Sequence, residues 1–347
     1  MGKNMEKNLK RLSLALLALG LSAPAFADST VLVPSQHGGF KVGIDALYLR
    51  PTNSDLNYAT SISFPSNFSQ GFERNATVDP SYDWGFYAQV GYLFPCTGND
   101  LTLAYTYLRS DETDSVVGVS GPSGVTTSIS VLPIGQVFGT TFGAAAGKAK
   151  FDLNVVDLEG GQRFTTGAYD MRMFAGLRYA NIDHQLQSFG APFSTGSTFG
   201  AQEFKSQFRG LGPRIGVDGR YCLNSGFGVD ANLSTALLIG HVDGCYNAAL
   251  TTGTGDDLTV TNFAAKNGSE NRVVPVLEGK LGVDYTYIMD CRCKSALTFE
   301  VGYQATNYFN ADDHARVVNT IGTSFAYQNN TSDVAFDGIY FGVKYYA

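Results

Sequence analysis

The stretch Tyr82-Asp83-Trp84-Gly85-Phe86-Tyr87-Ala88-Gln89-Val90-Gly91-Tyr92-Leu93-Phe94 decides the fold. Tyr82, Trp84, Phe86, Ala88, Val90, Tyr92 and Phe94 share one face at a period of two, while Asp83, Gly85, Tyr87, Gln89 and Gly91 take the other. A strand places alternate side chains on opposite faces. Large rings at both ends of one face, with smaller residues between, suit a strand that meets lipid and carries interfacial girdles. On this reading Trp84, Phe86, Val90 and Tyr92 face lipid, and an Arg at Gln89 is better tolerated than one at Val90.

Nine further stretches repeat the alternation. They are Phe40–Arg50, Asp100–Arg109, Phe151–Glu159, Met171–Asn181, Phe204–Cys222, Phe227–Leu237, Val273–Tyr287, Leu297–Ala305 and the closing Ile339–Tyr346. Val155-Val156 breaks strict alternation and suggests a bulge. Pro213 cannot donate a backbone hydrogen bond and suggests a bulge or a rim position. Long connections are expected at 51–81, 110–148, 184–203, 239–272 and 308–333. Short ones are expected near Pro95–Asn99, Gly160–Ala168, Leu223–Ser225 and Met289–Lys294. The alternation of long and short is that of outer loops and periplasmic turns. Within 110–148, Val116–Val119 and Val125–Val131 flank Gly121-Pro122-Ser123-Gly124 and offer a further hairpin. Gly135–Gly147 reads as a helix or a plug. The fold expected is therefore an all-β, antiparallel up-and-down transmembrane barrel of about ten strands, with twelve as the alternative.

Residues 1–27 read as a signal peptide: Lys3, Lys7, Lys10 and Arg11, an apolar Leu12–Leu21, then Ala25-Phe26-Ala27. That apolar run is too short to span as a helix, which needs roughly 20 residues. Residues 28–347 then form a single barrel domain, with twenty basic residues against thirty acidic ones. That acidity argues against nucleic acid as a partner. Outer-membrane lipid and lipopolysaccharide are the partners expected. In a membrane only helices and closed barrels satisfy every backbone hydrogen bond, and no later apolar run is long enough for a helix. Ala236-Leu237-Leu238-Ile239 is among the longest.

The faces opposite the aromatic ones supply a candidate pore lining. Lys41, Asp45, Arg172, Arg178, Arg214, Asp218, Arg220, Glu278, Lys280, Asp284 and Glu300 belong to it, and Asp152, Asp230, Asp337 and Lys344 extend it. The wall so defined is close to neutral. Two functions fit: a pore for passive diffusion of ions and small polar solutes, or a closed structural or surface-interaction barrel. A barrel of eight strands is filled by side chains and one of sixteen to eighteen leaves a channel. Ten lies between.

Catalytic and metal chemistry have little to stand on. Asp312-Asp313-His314 and His241-Val242-Asp243 pair carboxylates with His, without a second carboxylate pair to hold a water. Cys291-Arg292-Cys293 lacks the two-residue spacer of a zinc site. No cofactor is expected. The five cysteines, Cys96, Cys222, Cys245, Cys291 and Cys293, follow the signal and enter an oxidising compartment, so disulfides are the better reading.

Asp45-Ala46-Leu47-Tyr48-Leu49-Arg50-Pro51, Asp83-Trp84-Gly85-Phe86 with Gly91-Tyr92, Asp152–Gly161, and Gly176-Leu177-Arg178-Tyr179-Ala180-Asn181-Ile182-Asp183 occur in an order that resembles the Legionella-type major outer membrane protein family. The likeness runs over most of the mature chain. It implies a pore-forming outer-membrane barrel and members cross-linked through disulfides. The end Tyr345-Tyr346-Ala347 departs from the terminal aromatic common in outer-membrane barrels. Cys291 and Cys293 stand too close in a short turn for an unstrained bond. Cys222 is then the nearest intrachain partner, and Cys96 is left for a neighbouring subunit, in keeping with that cross-linking. Cys245 falls in an outer loop on this topology.

Overall fold

The computed structural model describes residues 38–64, 72–118, 126–131, 141–192, 198–223, 225–254, 257–266, 270–289, 295–320 and 324–347. The signal-peptide expectation for 1–27 lies outside them, as do Cys291 and Cys293. In chain order the strands are β1 (Gly39–Asn53), β2 (Asn57–Phe64), β3 (Phe72–Thr77), β4 (Asp83–Leu93), β5 (Asn99–Val117), β6 (Thr126–Val131), β7 (Ala144–Thr166), β8 (Tyr169–Ala191), β9 (Phe199–Cys222), β10 (Phe227–Thr254), β11 (Asp257–Lys266), β12 (Glu270–Met289), β13 (Ser295–Thr320) and β14 (Ser324–Tyr346). All pairings are antiparallel. β1 pairs with both β14 and β4, and β10 with both β9 and β12, which closes a ten-strand barrel. β11 pairs with the outer half of β10, so β11 and β12 form one return path in two pieces.

An apolar belt surrounds the barrel. Its outward side chains include Phe40, Val42, Ile44, Trp84, Val90, Leu103, Met173, Leu177, Ile215, Leu281 and Val301, all exposed. Rings mark both borders. On the side of the chain termini Phe40 meets Tyr92 at 5.2 Å and Tyr169 meets Tyr221 at 4.9 Å. On the far side Tyr48 lies 4.8 Å from Trp84 and 5.3 Å from Tyr82. On β8 the belt runs from Tyr169 to Tyr179, the span a tilted strand needs to cross a bilayer, roughly 9–11 residues.

Beyond the belt the strands continue, and alternation changes phase. Along β8, Met171, Met173, Leu177 and Tyr179 point outward, but after Tyr179 the apolar residues Ala180, Ile182 and Leu186 point inward. Asn181, Asp183, Gln185 and Gln187 then face out. Several crossings of this boundary leave two apolar neighbours in a row. Val155-Val156 is such a doublet, with Val155 buried and Val156 exposed. Its pairing with β5 and β8 is continuous, so the expected bulge is absent. Leu237-Leu238 in the longest apolar run is another. Pro213 is likewise not at a bulge or rim: the β9–β10 register skips Gly212 and Pro213 and resumes unshifted.

The same switch accounts for the connections. Most of the expected long loops is strand, because a polar outer wall over an apolar interior still suits a sheet. β10 alone has 28 residues. The turn expected at Gly160–Ala168 shrinks to Gly167-Ala168, with Gly167 at φ 58°. Ala144–Gly147 is strand, neither helix nor plug. The expected hairpin also fails: Val116 and Val117 extend β5, while β6 pairs with β2.

β2, β3 and β6 form a separate three-stranded sheet seated against β7 and β8. Its fit depends on missing side chains. A Cβ on Gly147 would stand 2.3 Å from the Tyr58 ring, and one on Gly190 or Gly200 would stand 2.6 or 2.7 Å from the ring of Phe142.

Candidate functional site: the barrel interior

All eleven residues assigned to the lining by parity project into the barrel. Lys344 and Asp230 join them, whereas Asp152 and Asp337 face outward, beside Arg109 and Tyr303 respectively. Asp100, Asp157 and Glu159 also point inward, and the parity reading omits them. Asp100 is nearly the first residue of its strand, and a bulge assumed at Val155-Val156 obscures the parity of Asp157 and Glu159.

These three acids complete an ion-pair network. Arg172 takes Asp100 in a fork, Nε and Nη2 each donating over 2.7 Å, and its Nη1 donates to Asp218 at 2.8 Å and to Glu159 at 3.3 Å. Arg178 forks onto Asp157 and donates to Glu278 at 2.8 Å. Arg214 pairs with Glu159 and donates to Glu278 at 3.1 Å and to Ser234 at 3.0 Å. The Phe174 ring lies 4.9 Å from both Arg172 and Arg214. Planar guanidinium groups suit such bidentate and stacked geometry.

Toward the termini, Arg220 holds Asp284, its Nε at 2.8 Å and 2.9 Å from the two oxygens. Lys344 donates to Glu300 at 2.5 Å. Lys280 is 4.0 Å from Asp45 and lies over the rings of Tyr87 and Tyr340. Lys41 is buried beside them. Burying ions without partners is costly, so mutual pairing is what lets this region pack. The free volume it encloses is about 200 Å³.

Outward of the ion pairs the interior becomes an apolar layer. Leu47, Leu108, Phe151, Phe208, Leu238, Val276, Tyr308 and Phe336 are all at most 1% exposed. Within it His184 Nδ1 lies 2.8 Å from Asp312 Oδ2, which also accepts from Asn53 at 2.8 Å and from Ser332 at 3.3 Å. Phe151 stacks on the imidazole at 4.4 Å. Asp313 pairs with Arg272 at 2.5 Å. This polar cluster is thus buried and hydrogen-bonded, with Arg272–Asp313 as its ion pair, and the side chain of His314 lies outside the described residues. His241 and Asp243 are half-exposed and 3.9 Å apart.

Among the described residues no disulfide forms. Cys96 is exposed in the β4–β5 turn, Cys222 is half-buried at the end of β9, and Cys245 is in strand β10, not in a loop.

A closed barrel with ringed borders, a lipid-facing belt and the start of β1 beside the end of β14 defines an outer-membrane β-barrel protein. The chain belongs to the family described as Legionella pneumophila major outer membrane protein precursor, whose pattern it matches over residues 32–347. No curated protein matches it in sequence. Among solved structures it is similar to the outer membrane protease OmpT of Escherichia coli, at 11% identity and a TM-score of 0.43, covering 92% of this chain and 99% of that one. It is also similar to a major outer membrane protein of Thermus thermophilus, at 13% identity and a TM-score of 0.31, covering 72% and 98%. A Pseudomonas aeruginosa FadL homologue aligns at 7% identity and a TM-score of 0.26, covering 89% and 90%.

Proposed function

We propose that the chain is a closed-lumen outer-membrane barrel, a structural and surface-presenting element of the envelope, and not a constantly open diffusion pore. The apolar layer at Phe151, Phe208, Tyr308 and Phe336 carries this reading, because a path for ions would leave its lining exposed to water. An ion crossing it would lose hydration among mostly apolar side chains, since Asp312 Oδ2 is already taken by His184, Asn53 and Ser332. The expectation of a passive pore keeps one support, the charged cavity beneath the layer.

Single-channel recording of the refolded chain in a planar bilayer tests the two. The closed barrel gives no steady unitary conductance. Steady unitary steps would overturn it in favour of the pore. In that case replacing Arg178, Arg214 and Arg220 with Ser should move ion preference toward cations, since fixed charges set selectivity.

A further inference from the structure

The outer wall above the belt carries ordered rows of charge. Strand register sets Asp152 beside Asp183, then Gln207, then Asp243. One step outward it sets Lys150 beside Gln185, then Lys205, then Cys245, then Lys266. An acidic row therefore lies beneath a lysine row, in which Lys205 also meets Glu203 at 3.0 Å and Lys150 lies 3.9 Å from Asp111, and a groove of about 350 Å³ runs along both rows. Lysines on every second strand stand about 10 Å apart, given a strand spacing of roughly 4.8 Å.

Height selects the occupant. Gln185 lies six residues past Tyr179 on β8. At about 3.3 Å per residue and a tilt near 40°, the lysine row stands roughly 15 Å above the belt, and the acidic row roughly 10 Å. A phospholipid headgroup layer is only about 5–8 Å thick on each side. Its phosphates fall short of the lysines. An anionic glycolipid, whose phosphates and acidic sugars extend outward from its acyl chains, reaches them. Divalent cations held among its lower phosphates also suit the acidic row. A second copy of this chain does not fit this face. Both copies share the membrane normal, so acids would meet acids and lysines would meet lysines at equal height, which is repulsive.

We propose that this groove seats the sugar-phosphate core of the outer-leaflet glycolipid, with Lys150, Lys205 and Lys266 taking its anionic groups. The proposal rests on the outer-membrane placement and is independent of whether the lumen is closed.

The test uses the full barrel in bicelles containing one of three lipids: lipopolysaccharide with its phosphorylated core, lipid A without core sugars, or phosphatidylglycerol. A fourth sample carries inorganic phosphate alone. Core-bearing lipopolysaccharide should raise the unfolding midpoint of the wild type. The K150Q/K205Q/K266Q variant should bind it on the order of a hundredfold more weakly, taking about 1 kcal/mol per lysine near a charged surface. The other three additives should act alike on both proteins. Should the triple variant fail to fold, K150Q and K266Q singly must each weaken the response. An unchanged lipopolysaccharide response, or a lysine-dependent response to phosphatidylglycerol or phosphate, would overturn the assignment.

Discussion

Arg178 and Asp157 stand directly opposite each other on β8 and β7 and are joined by two hydrogen bonds of 2.7 Å, both side chains almost wholly removed from solvent. Truncating one partner leaves a buried charge without its counter-ion. Arg178→Met should therefore cost about 3–5 kcal/mol. The double variant with Asp157→Leu should recover part of that, since two apolar residues leave fewer buried ions. Urea titration of the refolded barrel, followed by its heat-modifiable gel mobility, checks the ordering. A double variant weaker than Arg178→Met would contradict it.

Val90 is half exposed near the middle of β4 and faces lipid. Val90→Arg should cost roughly 2–4 kcal/mol. Gln89 is not the tolerant control suggested by alternation alone, because it is buried and its amide crowds the space beside Gly43. Thr113, outward on β5 beyond the belt, is the proper comparison. Thr113→Arg should change stability little, and equal losses at Val90 and Thr113 would misplace the belt.

Gly190 and Gly200 form the socket that receives Phe142. Gly190→Val would force the ring out, and overpacking of this kind costs typically about 1–3 kcal/mol. The loss should fall on the seating of the β2–β3–β6 sheet. Protease cleavage between residues 119 and 140, measured on intact cells, should speed up while the belt-spanning strands stay protected. Unchanged cleavage would separate the socket from the seating of that sheet.

Cys96 is exposed in a turn, and Cys222 is half-buried beside Arg220 at 3.6 Å. Maleimide should label Cys96 faster than Cys222 in reduced, folded protein. If oxidised oligomers form, they should vanish in Cys96→Ser and persist in Cys245→Ser on non-reducing gels. Cys245 lies beyond the far border of the belt and cannot reach the periplasmic thiols through about 30 Å of hydrocarbon. Loss of oligomers in Cys245→Ser would refute this scheme.

Alternation made the belt legible, since lipid outside and ion pairs inside give every crossing strand one clean period. Trp84, Val90, Leu177 and Ile215 needed nothing more. The outer half was harder because its pattern is inverted. From Ala180 onward most inward residues are apolar and most outward ones polar, as in a water-soluble barrel, so those segments read as loops. Doublets such as Val155-Val156 were the available signal, and a bulge is the commoner meaning of such a break. The partners of Arg172 were not legible either. Asp218 stands directly opposite Arg172 on β9, and Asp100 lies on β5, reached across Gly161 of β7, so only the strand register brings both to one guanidinium.

The length of β10 has a consequence for biogenesis. Its outer half, together with Lys205 and Arg209 on the neighbouring β9, must travel through the hydrocarbon before the barrel reaches its final seat. A Lys or Arg at the midplane costs about 2–4 kcal/mol, and several pass within the same hairpins. The return journey meets the same obstacle. Once delivered, the protein is held in the membrane by the slowness of withdrawal as much as by equilibrium stability, and spontaneous entry into a preformed bilayer should be slow for the same reason.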